Sequence, residues 1–162
     1  VTKGCYPDCD MLPVGKLGKG FADERDTRFT KEEQITMMTL WSVFRSPMMI
    51  GADLPQLDDW TKSLLTNAEV LHLLSHSSGA RQMMRDNRQV VWCTKDTDGK
   101  HTYIAVFNLQ DQAGDVSLPW DAIERYGITA NIAKELWSGD QQDLRNCEAV
   151  SVAAHGTKLF RL

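Results

Sequence analysis

The chain has 162 residues, of which 42% are apolar and 25% are charged, and these proportions are typical of a globular domain. Its 18 basic residues face 22 acidic ones, for a formal net charge of −4, and no cluster of Lys and Arg indicates a nucleic-acid partner. The length excludes a complete (β/α)8 barrel, which needs about 250 residues, and no apolar run approaches the roughly 18 residues that cross a membrane.

The first half of the chain is predicted to be loop, helix, strand and helix. Residues 1–29 contain too many glycines and prolines for a helix, and the Gly-rich run at 15–20 is interpreted as a flexible surface loop. Thr30 and Glu33 have the spacing of a capping box, which predicts a helix start. The helix must end before Pro47, because proline disfavours helix at the preceding residue. The apolar run at 48–50 predicts a strand covered on both faces, as in a parallel sheet.

Two short helices and an all-β half are predicted to follow. One helix begins at Asp58 or Asp59, and the next begins with a capping box of Thr66 and Glu69 and runs to about residue 74, before a small polar linker at 75–79. Strands are predicted at 89–95, 101–109, 116–118, 132–137, 149–153 and 157–162, with a helical turn at 119–126. Short strands separated by regular turns indicate an antiparallel sandwich.

Two groups of side chains contain residue types that bind metals, but neither group predicts a metal site. His72 and His76 are four residues apart and can share a helix face, but no third ligand is near them in the sequence. The four cysteines, Cys5, Cys9, Cys93 and Cys147, match no usual zinc spacing. They are interpreted as free thiols, with a disulfide as the alternative, and no metal is predicted.

The segment Tyr6-Pro7-Asp8-Cys9-Asp10-Met11-Leu12 carries the most chemical information. On an extended backbone, Asp8 and Asp10 point to the same side. Two neighbouring carboxylates can act as a general acid and base, bind a cation, or accept hydrogen bonds from sugar hydroxyls. The same pattern also occurs in turns and helix caps, so its bare spacing leaves these alternatives open.

This segment resembles the Trp-x-Asp-x-Asp-Met-Leu signature of the α-galactosidase (melibiase) family, glycoside hydrolase family 27. Three further segments are similar to family motifs in the same order: Thr-Lys-Glu-Glu-Gln at 30–34 with Leu-Trp-Ser at 40–42, Ser-Pro-Met-Met-Ile-Gly-Ala-Asp-Leu at 46–54, and Leu-Thr-Asn-Ala-Glu-Val at 65–70. Residues 105–108, 135–137 and 155–162 resemble the family's C-terminal β-sandwich more loosely.

The resemblance implies an α/β plus all-β fold in two parts. Residues 1–84 would be the last two βα units of a (β/α)8 barrel, and residues 85–162 a C-terminal antiparallel β-sandwich. Asp8 and Asp10 would follow the seventh barrel strand, and residues 48–51 would form the eighth. Asp8, Asp10 and Met11 are therefore the predicted substrate-binding residues, with Asp53 in a supporting role after strand eight.

The resemblance also implies a parent enzyme that hydrolyses terminal α-galactosyl residues of a carbohydrate, or α-N-acetylgalactosaminyl residues, with retention. The family's nucleophile and acid/base lie upstream, after strands four and six, so no catalytic residue is assigned to this chain. We expect the chain alone to have no hydrolase activity. No metal and no cofactor are predicted. The family resemblance further implies a secreted or periplasmic parent. Tyr6 stands where the family has Trp, which puts that edge of the pocket in question.

Two other expectations remain open. One is a different class of function, a non-catalytic carbohydrate-binding or interaction module, which the all-β half and its aromatic residues Trp92, Tyr103, Trp120 and Trp137 permit. The other concerns assembly, because two barrel strands without the remaining strands leave an open edge and an apolar face. The first half is therefore expected to pack irregularly, to exchange elements, or to form a homodimer through the exposed barrel edge.

Overall fold

The computed structural model describes residues 5–20, 22–147 and 149–162. Its helices are α1 (Lys31–Phe44), α2 (Asp59–Leu65), α3 (Ala68–His76) and α4 (Trp120–Tyr126), with a 3-10 turn at Leu54–Gln56. Its strands are β1 (Lys16–Leu17), β2 (Arg25–Asp26), β3 (Ser77–Arg85), β4 (Gln89–Asp96), β5 (Thr102–Asn108), β6 (Gly114–Ser117), β7 (Ile132–Glu135), β8 (Gln141–Asp143), β9 (Ala149–Val152) and β10 (Thr157–Arg161). Within these described ranges, no helix is long and apolar enough to cross a membrane.

The second half is an antiparallel β-sandwich, as predicted. A six-stranded sheet has the order β3-β4-β5-β10-β7-β8, and β6 and β9 form a two-stranded sheet. Residues of β5 alternate between two cores: Tyr103 and Phe107 pack with the helices, whereas Ile104 and Val106 pack with β6, β9 and α4. This period of two is the expected pattern for a sheet covered on both faces.

Local sequence signals gave the correct start of α1 and the correct hairpin. The Thr30 hydroxyl oxygen accepts from the Glu33 amide, and the Glu33 carboxylate accepts from the Thr30 amide at 2.7 Å, so the predicted capping box is confirmed. The predicted turn at Asp98 and Gly99 joins β4 to β5, and Gly99 has a φ of 73°, a conformation that glycine adopts without steric cost.

Two predictions at the ends of α3 are wrong. The helix is capped by Asn67, whose side-chain oxygen accepts from the amides of Glu69 and Val70. Thr66 instead ends α2 and donates its hydroxyl to the Lys62 carbonyl. The predicted linker at 75–79 is divided between the end of α3 and the start of β3, because the backbone there pairs with β4 despite its polar side chains.

The glycine-rich run at 15–20 is not a free loop, contrary to the prediction. Its centre is strand β1, which pairs with β2 and buries Leu17. The Lys16 carbonyl also accepts from the Asp53 amide at 2.8 Å. These backbone bonds are long-range, so the composition of the run gave no sign of them.

The apolar run at 48–50 is not a strand covered on both faces within the described ranges. Its pairing there is a single parallel bridge between Leu12 and Ile50, in which the Leu12 amide donates to the Met49 carbonyl at 2.7 Å. Met49 and Ile50 remain 51% and 40% exposed. Burial of both faces requires neighbouring strands and helices on each side, and the described residues supply a pairing partner on one side only.

All four cysteines are free thiols, as predicted. Cys93 is fully enclosed in the sheet, and burial raises the pKa of its thiol to about 12. It therefore packs as a small apolar side chain.

Polar contacts attach the sandwich to the helices that precede it. Glu69 of α3 forms ion pairs with Lys134 of β7 and Arg161 of β10. Burial tends to raise the pKa of Glu69, but the hydrogen bonds and charges of these two cations outweigh it, and the net pKa lies below the ordinary value of 4.5. The ionised carboxylate thus stabilises the joint between the two halves.

Replacing Glu69 with glutamine should change how stability depends on pH. Because the pKa is lower in the folded chain, its contribution is complete above about pH 4.5 and is lost as the pH falls through the folded value. We expect Glu69→Gln to be less stable than the parent at pH 7 and the gap to narrow towards pH 3, measured by urea unfolding. Asp115→Asn, at an exposed position of β6, is the control. Parallel pH profiles for Glu69→Gln and the parent chain would contradict the prediction.

Candidate functional site

The two predicted carboxylates lie in a turn, which is one of the alternatives that their spacing left open, and not on an extended backbone. Asp10 has a φ of 67°, a left-handed conformation that Asp and Asn tolerate better than most residues. One Asp8 oxygen accepts from the Asp10 amide at 2.9 Å, and one Asp10 oxygen accepts from the Met11 amide at 2.7 Å. The other Asp10 oxygen makes no hydrogen bond within the described ranges, and the side chain is exposed.

The C-terminal end of α1 fixes this turn in place. The Trp41 indole donates to the Asp10 carbonyl at 3.0 Å, and the Ser46 hydroxyl oxygen accepts from the Cys9 amide at 2.9 Å. In both bonds the turn contributes a backbone group, the Asp10 carbonyl and the Cys9 amide, so the two bonds leave the side chains of Asp8 and Asp10 out of these contacts.

Arg45 contacts the same region, although no motif in the sequence singled it out. It ends α1 with a φ of 58°, and its guanidinium donates to the carbonyls of Leu74, Ser75 and Ser77. The guanidinium carbon also lies 4.8 Å from the centre of the Tyr6 ring, a distance typical of a cation–π contact. Tyr6, the residue at the family's Trp position, therefore contacts a side chain that is hydrogen-bonded to the end of α3 and the start of β3.

Met11 is directed away from the core. Leu12 is fully buried whereas Met11 is 49% exposed, as alternation along an extended segment requires. Gly51 lies beside it, and a Cβ there would be 3.2 Å from the Met11 Cβ. A side chain at position 51 would therefore crowd Met11.

Met11 and Gly51 line a pocket of about 340 Å³, whose other lining residues are Gly18, Lys19, Ile50, Ala52 and Asp53. The Asp53 carboxylate accepts from Lys19 at 3.0 Å and from the Gln56 amide at 2.6 Å, and only 6% of its side chain is exposed. These two hydrogen bonds, that of Lys19 first, lower the pKa of Asp53. Asp53 therefore holds the Lys19 ammonium at this pocket, and its supporting role at a substrate site stays a prediction.

The structure brings Asp8, Asp10 and Met11 into one turn, and Met11 into the pocket. Lys19 and Gln56 were missed by sequence analysis, although Lys19 lies in the Gly-rich run that had been singled out. A larger cavity of about 500 Å³ lies between α1 and strands β3–β5. None of the three predicted site residues lines it.

The remaining candidate residues have partners inside the chain. His72 lies 3.3 Å from the Asp96 carboxylate and stacks on His76. Across residues 5–20, 22–147 and 149–162, no three His, Cys, Asp or Glu side chains could jointly hold a metal ion. The four aromatic residues that were considered for sugar binding each contact a neighbour: Trp92 packs on Phe44, Tyr103 donates to Asp96, Trp120 lies under Arg145, and Trp137 donates to Thr39.

Comparison with known proteins shows which proteins this chain is similar to. Residues 86–162 match the family model described as the alpha galactosidase C-terminal beta sandwich domain. An α-galactosidase of Oryza sativa subsp. japonica is 26% identical over 161 residues, covering 98% of this chain and 36% of the rice protein.

Solved structures show the same similarity to glycoside hydrolases. A GH27 β-L-arabinopyranosidase from Geobacillus stearothermophilus superposes with a TM-score of 0.86 at 40% identity, covering 98% of this chain and 37% of that protein. Its complex with arabinose gives a TM-score of 0.85. The chain therefore spans little more than a third of the length of these relatives and matches their C-terminal part. It is similar over its length to the C-terminal part of glycoside hydrolase family 27 proteins, and residues 86–162 match the C-terminal β-sandwich domain of the α-galactosidases.

Proposed function

We propose that this chain works as the C-terminal part of a longer retaining glycosidase that hydrolyses terminal α-galactosyl residues. The observation that carries the proposal is the Asp10–Met11 turn, which is hydrogen-bonded to Trp41 of α1 and places Met11 at the rim of a pocket. The region in which the family's nucleophile and acid/base lie is outside the matched part, so the chain would supply one edge of the sugar pocket.

The proposed division into a barrel part, residues 1–84, and a sandwich, residues 85–162, has two kinds of support. The Leu12–Ile50 bridge is parallel, as neighbouring barrel strands are, and α1 lies between the two bridged segments in the chain, with α2 and α3 after the second. The family match covers residues 86–162. Strand β3, residues 77–85, pairs with β4, so the six-stranded sheet includes residues on the barrel side of the proposed boundary.

A β-L-arabinopyranoside is the second candidate substrate. The structural relative with 40% identity bears the name of that activity, whereas the rice α-galactosidase is 26% identical. The two sugars share the arrangement of their ring hydroxyls and differ in the hydroxymethyl group of galactose, so Asp10 could accept hydrogen bonds from either.

The test begins with the coding sequence immediately upstream of this chain. The protein obtained by including it, here called the extended protein, should contain both catalytic-aspartate motifs and should hydrolyse p-nitrophenyl α-galactopyranoside or the β-L-arabinopyranoside. The 162-residue chain alone should hydrolyse neither. Absence of both motifs upstream, or turnover by the isolated chain that Asp10→Ala abolishes, would overturn the proposal.

The non-catalytic alternative has less support, because the four aromatic residues do not form an exposed row for stacking sugars. Tyr103 is 1% exposed, and the other three make the contacts given above. Calorimetric titration of the 162-residue chain with galactose and melibiose tests it directly. Binding that survives both Asp10→Asn and Lys19→Met would favour a separate sugar-binding module.

We propose further that the isolated chain forms a homodimer through the exposed barrel edge. Met11, Met49, Ile50 and Leu54 there are 40–56% exposed, and an unpaired strand edge promotes association. Sedimentation velocity should show a dimer that Ile50→Asp weakens and that Ile132→Asp, at an equally apolar exposed position of β7, leaves intact. A monomer at all concentrations would contradict this proposal.

A further inference from the structure

A group of basic side chains lies on the α4 face of the six-stranded sheet, opposite the face that α1 and α3 cover. Successive residues of β4 show the two faces, because Trp92 packs with the helices whereas Cys93 packs in the core that contains Ile123 of α4. Arg81 of β3 is the register partner of Cys93, so its side chain is on the α4 face. The sheet therefore separates this group from the proposed sugar pocket, and the group faces away from the side on which the rest of a barrel would pack.

A pocket of about 230 Å³ between β3 and α4, here called the arginine pocket, brings two of these basic side chains together. Register shifts lie on both sides of the pair Arg81 and Gln82 in β3, and such bulges change the direction of a side chain. A third cation, the Lys95 ammonium, lies 4.7 Å from the centre of the Tyr126 ring. The residues that line the pocket are Arg81, Gln82, Met83, Ala122, Arg125 and Tyr126.

Tyr126 joins the two walls of the arginine pocket without adding a negative charge. Its hydroxyl donates to the Gly79 carbonyl at 2.8 Å, which links α4 to β3. Burial raises the pKa of Tyr126 to about 12, although the charge of Arg81 opposes the rise. The hydroxyl is therefore neutral at pH 7.

The three cations have no carboxylate partner among residues 5–20, 22–147 and 149–162. None of the ion pairs found there includes Arg81, Lys95 or Arg125. On α4, Glu124 pairs with a different arginine and Asp121 is in none of these pairs. Like charges repel one another, so an anion in the arginine pocket would be stabilised by all three cations. Because the net charge of the chain is −4, this attraction is local.

We infer that the arginine pocket binds the carboxylate of a uronic acid residue in an acidic polysaccharide, with Arg81 and Arg125 donating to its oxygens. A guanidinium group presents paired N–H donors that match a carboxylate. The pocket is smaller than the about 300–1,000 Å³ typical of drug-sized ligands, so it admits one sugar residue.

The apolar side chains of the pocket favour a sugar acid over an acidic peptide or a simple anion. Met83 and Ala122 line the pocket beside the arginines, and they offer a surface to the C–H groups of a sugar ring. The inference goes beyond the proposed function, because the site would hold a polysaccharide away from the galactosyl pocket rather than act on it.

The experiment titrates the ¹⁵N-labelled 162-residue chain with methyl β-D-glucuronide and with methyl β-D-glucoside, which differ in a carboxylate against a hydroxymethyl group. The glucuronide should give saturable shifts of backbone NMR signals in β3 and α4, and the glucoside none. The glucose configuration keeps both probes out of a site that selects galactosyl residues. Sodium acetate, which has a carboxylate and no ring, should bind at least about tenfold more weakly than the glucuronide.

Substitutions assign the binding to the two arginines. Arg81→Gln and Arg125→Gln should each weaken glucuronide binding about tenfold, which matches the loss of one hydrogen bond to a charged group. Arg81→Lys keeps the charge without the paired donors and should have an intermediate effect. Arg88→Gln removes the same charge at an exposed position between β3 and β4, and it should change the affinity less than about twofold.

Four results would each overturn the inference. They are the absence of saturable binding, equal weakening by Arg88→Gln, binding of acetate or of a tetraglutamate peptide as tight as that of the glucuronide, and loss of binding in the extended protein, which would mean that the pocket is covered there. Arg81→Gln should leave the hydrolysis of p-nitrophenyl α-galactopyranoside by the extended protein unchanged. Failure of the inference therefore leaves the proposed function intact, and an inactive extended protein would overturn only the proposed function.

Discussion

Replacing Glu135 with alanine should lower the free energy of unfolding of the chain by about 3 kcal/mol. Glu135 ends β7 and is 6% exposed. One carboxylate oxygen accepts from the amides of Trp137 and Ser138, at 3.1 and 2.6 Å, and the other accepts from the Leu159 amide at 3.0 Å. Alanine would remove the acceptor for three backbone donors at once, and a buried donor without a partner costs about 1–3 kcal/mol.

The size of this loss in stability depends on how well water can replace the carboxylate as the acceptor for the three amides. Leu159 is fully buried in the central strand β10, so its amide is the donor that water reaches least easily. Glu135→Gln retains one acceptor oxygen but places an NH2 group against the remaining donors, and it should lose about half as much stability. Urea unfolding of the three proteins at pH 7 measures this order. A loss below about 1 kcal/mol for Glu135→Ala would show that the amides find other partners.

The features that sequence analysis found are those encoded by neighbouring residues. The capping box of Thr30 and Glu33 spans three positions, and the Asp98-Gly99 turn spans two, so each is complete within a short window. The strand at 101–109 was equally visible, because a strand between two cores is apolar on both faces and forms a continuous apolar run. These local signals were enough for α1, for the β4–β5 hairpin and for the sandwich.

The features it missed depend on residues far apart in the chain. Strand β3 has a polar sequence and exists because its backbone pairs with β4, and the run at 15–20 is ordered by β2 and by Asp53. Glu135 shows the same limitation, because its third hydrogen bond is to Leu159, 24 residues away. The spacing of neighbouring residues does not predict such long-range contacts.

The candidate site likewise contains residues that a motif identified and residues that only the fold revealed. Asp8, Asp10 and Met11 were found through a motif, since the resemblance supplied what their spacing alone left open. The backbone conformation of Asp10 was not predictable, because it depends on the Trp41 indole. Lys19 was missed because its partner Asp53 is 34 residues away. The motif thus located the turn, and only the fold showed which side chains surround it.

Replacing Asp10 with asparagine should lower kcat/KM of the extended protein by about 100-fold, with little change in its melting temperature. One Asp10 oxygen is engaged by the Met11 amide, which leaves the other free to accept from ring hydroxyls. Hydrogen bonds to a charged group contribute about 1.5–3 kcal/mol each, and two of them amount to about 3 kcal/mol, or roughly 100-fold. Asparagine is the informative change, because it tolerates the φ of 67° that would strain alanine.

The matched variant is Asp8→Asn, in the same turn. Among the described residues the Asp8 side chain makes one hydrogen bond, as the acceptor for the Asp10 amide, so a purely supporting role predicts a loss of about tenfold or less. A loss as large as that of Asp10→Asn would instead indicate that Asp8 also contacts the sugar, as the sequence resemblance implies. Circular dichroism melting of both variants separates a lost substrate contact from a disordered turn. An unchanged kcat/KM in Asp10→Asn would show that Asp10 does not bind the sugar. If its carboxylate accepted hydrogen bonds from ring hydroxyls, loss of the charge would lower kcat/KM measurably.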